Sequence, residues 1–151
     1  MTNFQGEVSD PKFSPSGDRI AFTGTEEGAT EVFVIDAQGG PAEQLTYNGS
    51  PAAVVGWSTD GDKVLFRSTF REPFNRGSKL YSVPRGGGEV RRMELGQVHA
   101  IAFEPNGSGR VIGRHTDDLA RWKRYRGGTA GALWIDSTGD GDWERLLGDE
   151  E

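Results

Sequence analysis

The 151-residue sequence contains no cysteine, which removes disulfides and thiolate chemistry from consideration. It has only two histidines, His99 and His115, too few to suggest a metal cluster. No apolar run approaches the length of a signal-peptide core or a membrane span. With a polar start at Thr2-Asn3-Phe4-Gln5, the expectation is a cytoplasmic protein without membrane association. A positive excess is missing too: the formal net charge of -6 argues against nucleic acid or anionic membrane as a general partner. Helix signals are nearly absent. There is no Gly-x-Ser-x-Gly elbow, phosphate loop or HExxH motif, so no catalytic residue, metal ligand or cofactor site is nominated.

What the chain has in excess is glycine, 23 residues, or about twice the average share. These glycines are dispersed between short β-branched and aromatic runs, the pattern of an all-β chain rich in turns.

The runs repeat. Phe13-Ser14-Pro15-Ser16-Gly17-Asp18-Arg19-Ile20-Ala21-Phe22 returns as Trp57-Ser58-Thr59-Asp60-Gly61-Asp62-Lys63-Val64-Leu65-Phe66. A looser third copy begins Phe103-Glu104-Pro105-Asn106-Gly107 and reaches Arg110-Val111-Ile112 after one extra residue. Counted from the central aromatics Phe33, Tyr81 and Trp134, a glycine follows seven residues on and Leu45, Met93 or Leu146 twelve on. A four-strand unit of about 40–50 residues is the period of a propeller blade. A β-sandwich would not repeat a four-strand pattern in this way. The predicted fold is a β-propeller segment, three four-stranded antiparallel blades over roughly 9–46, 51–93 and 98–147, treated as one partial propeller. Propellers close with about four to eight blades. Three blades are half of a six-bladed ring, and an open wedge exposes an apolar face at each end.

One segment is locally basic. From 110 to 126 the chain carries six Arg/Lys against two Asp, interleaved with aromatics. Arg114, His115, Arg121, Trp122, Lys123, Arg124, Tyr125 and Arg126 are therefore the candidates for contact with a ligand or partner. Covering a neighbouring blade or domain is favoured over gripping a peptide carboxylate, and both over stacking on bases. Asp136-Ser137-Thr138-Gly139-Asp140-Gly141 hints at a calcium loop, but position twelve is Leu147 rather than Glu, and a turn is the favoured reading. Asn48-Gly49-Ser50 and Asn106-Gly107-Ser108 read as turns rather than glycosylation sites.

The blade pattern resembles the WD40-like repeat shared by TolB and several peptidase propellers. More specific is Arg110-Val111-Ile112-Gly113-Arg114 followed by Trp122-Lys123-Arg124-Tyr125-Arg126-Gly127-Gly128 and Leu133-Trp134-Ile135. With Glu43-Gln44-Leu45-Thr46-Tyr47 and Val55-Gly56-Trp57, this is similar to the N-terminal six-bladed propeller of tricorn proteases over nearly the whole chain. The resemblance implies a non-catalytic part of an oligomeric serine peptidase that degrades short peptides in the cytoplasm, with its catalytic residues elsewhere. It implies a scaffold and peptide-channel wall, partnered by the remaining blades and catalytic domains. Two other readings stand beside it: an independent binding module that dimerises into a six-bladed ring, and a TolB-like protein-binding propeller.

Overall fold

The computed structural model describes residues 5–26, 28–73, 77–105, 107–115 and 131–146. Among the described residues, twelve strands occur in three antiparallel sheets of four, with no helix. Sheet 1 comprises β1 (Glu7–Phe13), β2 (Arg19–Thr25), β3 (Glu31–Asp36) and β4 (Glu43–Gln44). Sheet 2 comprises β5 (Ala52–Trp57), β6 (Lys63–Ser68), β7 (Lys79–Pro84) and β8 (Arg91–Gln97). Sheet 3 comprises β9 (Ala100–Phe103), β10 (Arg110–Arg114), β11 (Ala132–Asp136) and β12 (Glu144–Leu146). Within each sheet, sequence neighbours are spatial neighbours, the meander of a propeller blade. The chain is thus all-β and built of propeller blades. It forms two compact units, Met1–Gly96 and Gln97–Glu151.

The first hairpin of every sheet is closed in the same way. Ser14, Ser58 and Glu104 donate their backbone N–H to the carbonyls of Arg19, Lys63 and Gly109. The side chains of the same three residues accept from the backbone N–H of those partners, at 3.1, 3.0 and 3.2 Å. Gly17 and Gly61 both take φ +74°, the left-handed conformation that a side chain resists.

These bonds correct one point of the sequence alignment. The third hairpin is no longer than the others, because Phe103 pairs with Arg110 as Phe13 does with Ile20 and Trp57 with Val64. Arg110 therefore occupies the position of Ile20 and Val64. Trp134 faces Ile112 across the sheet as Phe33 faces Phe22 and Tyr81 faces Phe66.

Side chains alternate across each strand, so every sheet has two faces. In the first unit, Ala21, Val32, Val34 and Leu45 of sheet 1 pack against Ala52, Val54, Trp57, Val64, Phe66, Tyr81 and Val83 of sheet 2. Polar ties cross the same junction. The Val54 N–H donates to the Thr23 hydroxyl at 2.9 Å, and the Trp57 indole N–H donates to the Lys12 carbonyl at 2.9 Å. One-residue bulges in β1, between Ser9 and Lys12, and in β5, between Val54 and Gly56, bend both first strands.

Candidate functional site

Two of the eight candidate residues lie among the described ones. Arg114 ends β10, and its guanidinium lies 5.4 Å from the centre of the Trp134 ring on β11. His115 follows at φ +54°, and its ring meets that of His99 edge to face, with centroids 6.1 Å apart. The His99 N–H donates to the Gly113 carbonyl at 2.8 Å, which holds the two histidines at one end of the β9–β10 hairpin. The sequence separates them by sixteen positions, and only the antiparallel pairing of β9 with β10 brings them together. Arg121, Trp122, Lys123, Arg124, Tyr125 and Arg126 lie outside the described residues.

A second polar centre in this unit lies at the Asp136 turn, whose pairing with Arg110 the sequence does not reveal. The side chain of Asp136 is fully buried. One carboxylate oxygen accepts from the Gly139 N–H at 2.8 Å; the other accepts from the Gly141 N–H at 3.0 Å and from Arg110 Nε at 2.9 Å. Arg110 in turn lies 5.1 Å from the centre of the Trp143 ring. Burial pushes the Asp136 carboxyl up, but the Arg110 hydrogen bond, the two glycine N–H groups and the Arg110 charge outweigh it, and its pKa is held below the ordinary value of 3.8. These contacts occupy both oxygens in organising the β11–β12 turn, the role favoured over calcium binding. Among the described residues, no three His, Asp or Glu side chains converge to hold a metal ion.

The first unit has a cleft of about 820 Å³ on the face of sheet 1 that does not pack against sheet 2, lined by Glu26, Glu31, Phe33, Gln44 and Tyr47 among others. Glu31 is buried, and its carboxylate accepts from the Thr46 hydroxyl and, at 2.7 Å, from the Gly49 N–H. The Thr46 hydroxyl accepts from the Val32 N–H at 2.9 Å. This network ties the exit from β4 to the start of β3 beside the exposed Tyr47. Next to the cleft, the same face carries the stacked Phe22 and Phe33 rings, 5.6 Å apart, in a cluster with Ile20, Ile35 and Ala42. Phe22, Phe33 and Ile35 on this face are buried, whereas Val8 and Phe13 of β1 are 61% and 66% exposed.

The comparisons with known proteins agree with this architecture. The family model of the tricorn protease N-terminal beta propeller domain matches residues 1–151. Tricorn protease homolog 1 of Streptomyces coelicolor is 42% identical over 142 residues, covering 92% of this chain and 13% of the relative. A putative tricorn-like protease N-terminal subunit of Sulfurisphaera tokodaii is 33% identical over 140 residues, covering 89% of this chain and 69% of the relative. The crystal structure of the tricorn protease superposes with a TM-score of 0.77 at 27% identity, covering 95% of this chain and 15% of that one. A putative TolB from Agrobacterium tumefaciens, at 18% identity and a TM-score of 0.67, shares the fold. The chain thus spans about an eighth of the length of the Streptomyces relative. Its sheets, repeated hairpins and whole-length match make it a member of the tricorn protease N-terminal β-propeller family.

Proposed function

We propose that this chain is a non-catalytic propeller segment of a tricorn-type protease, a scaffold and channel wall for short peptides in a cytoplasmic, oligomeric peptidase. The whole-length family match carries this reading. The exposed Val8 and Phe13 of β1 support it, because propeller blades bury such side chains against further blades. The partners are then the remaining blades and the catalytic domains. The basic sequence after Arg114, with Arg121, Lys123, Arg124 and Arg126, serves contact with an adjoining domain or with peptide carboxylates.

A replacement experiment tests this. With this segment substituted for its counterpart in the Streptomyces relative, cleavage of short peptides is retained. Replacing Arg121, Lys123, Arg124 and Arg126 by alanine then raises KM while kcat holds, as loss of a guiding contact requires. An unchanged KM, or turnover of peptides by the purified chain alone, would sink the proposal.

A second reading, an independent binding module, is favoured by the Sulfurisphaera relative, whose name describes an N-terminal subunit. In that case the purified chain binds its catalytic partner in solution without covalent linkage.

A further inference from the structure

We infer that His99 and His115 form a two-imidazole site for a divalent transition-metal ion, with zinc as its redox-inert representative. The site lies wholly within the second unit and does not depend on the propeller-segment reading above.

These are the two histidines of the chain. The β9–β10 register ends at Gly113↔Ala100, and extending it by one pair sets Arg114 opposite His99. Alternation along β10 would then turn His115 to the face opposite from Arg114 and His99. Instead His115 leaves the strand at φ +54°, a left-handed conformation uncommon outside glycine. That turn breaks the alternation and brings the two rings edge to face, with centroids 6.1 Å apart and planes at 86°. The bond from the His99 N–H to the Gly113 carbonyl fixes the other side of the pair. Left-handed residues of this kind recur at ligand clamps.

Imidazole suits zinc, nickel and copper. With metal–nitrogen distances of about 2.0–2.1 Å, two imidazoles on one ion have ring centroids about 5–6 Å apart. The rings of His99 and His115 therefore need to close by no more than about 1 Å. Histidine χ2 is a broad torsion that allows this adjustment. A ligating imidazole uses one nitrogen and keeps the other for a hydrogen bond, so either ring can hold a second partner at the same time. The neighbouring cation, Arg114, keeps its guanidinium over the Trp134 ring. Water completes the coordination sphere. An ion on both rings cross-links the chain entering β9 to the chain leaving β10, the point from which the basic sequence follows.

Calorimetric titration of the full chain with zinc chloride is expected to show one ion bound per chain, with a dissociation constant on the order of 10 µM. One imidazole alone binds weakly, and the second then acts at a high effective concentration. His99→Gln and His115→Gln are therefore each expected to weaken binding by ~30-fold or more. Both histidines are half-buried, and thermal melts of the variants without metal check that the fold is kept. Zinc should raise the melting temperature of the wild-type chain and leave that of either variant unchanged. In proton NMR, the imidazole resonances of both histidines should shift together up to one equivalent of zinc, a response that misfolding does not produce. Absence of binding at millimolar zinc, binding that survives either substitution, or a shift of only one imidazole would each overturn the inference. The peptidase experiment above alters other residues, so either reading can fail without the other.

Discussion

Arg110 and Asp136 face each other across β10 and β11 at the position that sheet 1 fills with Ile20 and Ile35 and sheet 2 with Val64 and Val83. One blade has exchanged an apolar cross-strand pair for an ion pair, with Arg110 Nη2 2.8 Å from a carboxylate oxygen of Asp136. A buried ion pair repays its desolvation only while both partners and their hydrogen bonds are present. Arg110→Ile alone should therefore destabilise sheet 3 markedly, since it leaves a buried carboxylate with only two glycine N–H groups. Asp136→Ile alone should do the same by stranding the guanidinium. The double replacement restores the aliphatic pair of the other two sheets and should recover most of the loss. Urea unfolding of the four proteins measures the coupling, and additive single effects would show that the pair does not act as a unit.

The same pair sets a pH dependence. The Asp136 pKa is lower in the folded chain than its ordinary 3.8, so the unfolded chain binds the proton more readily. The stabilisation it contributes is complete above that ordinary value and is lost as pH falls through the lower folded one. Asp18, lowered mainly by hydrogen bonds from Ser16 and Ser14, and Asp60, lowered mainly by the Ser58 hydroxyl, add to the loss in the same acid window. Thermal melts between pH 7 and pH 2 should show a drop confined to the acid end. The Arg110→Ile/Asp136→Ile protein should show a smaller one.

The repeated hairpins were readable in the sequence because their signals are local. A glycine that must take φ +74° and a two-residue alternation of apolar side chains need no knowledge of distant partners. Arg110 was not readable in the same way. Taken alone, an arginine next to an apolar run aligns with Arg19 and Lys63 at the strand edge, and that match required an extra residue in the turn. The Glu104–Gly109 backbone hydrogen bond shows a turn of ordinary length and moves Arg110 into the core position, where Asp136 neutralises it. The meeting of His99 with His115 depends likewise on strand pairing. Of the basic connection proposed to touch ligands, only its first two candidates, Arg114 and His115, are among the described residues.

Gly17 offers a test of the turn argument that is free of packing. A Cβ added there would meet nothing within 4 Å, so any cost of Gly17→Ala comes from its φ of +74°. That cost is about 1–2 kcal/mol, the penalty of a left-handed conformation for an L-residue. Gly86 has equally open surroundings and no such φ, so Gly86→Ala should leave stability nearly unchanged in the same urea titration.

Trp57 joins the two sheets of the first unit both by its buried ring and by its indole N–H. Trp57→Phe keeps most of the ring volume but abandons the Lys12 carbonyl, a loss of about 1 kcal/mol. Trp57→Ala empties the site as well and should cost about 3–5 kcal/mol. Because the contact lies between sheets 1 and 2 rather than inside either, amide exchange should accelerate in both sheets together. Acceleration confined to β5 would mean that the two sheets do not unfold as one unit.

Thr23 tests the polar side of that junction. Its hydroxyl is 3% exposed as part of the residue and accepts the Val54 N–H at 2.9 Å. The bulge between Val54 and Gly56 interrupts the ladder next to this group. Thr23→Val preserves shape and removes only the acceptor, which leaves a buried N–H without a partner and should cost about 1–3 kcal/mol. Thr23→Ser keeps the oxygen while deleting a methyl group and should cost less than Thr23→Val. A hydrophobic account of the junction predicts the reverse order, since valine is the more apolar replacement. The sign of the difference between the two variants in urea unfolding therefore decides whether hydrogen bonding or apolar burial governs how one blade grips the next.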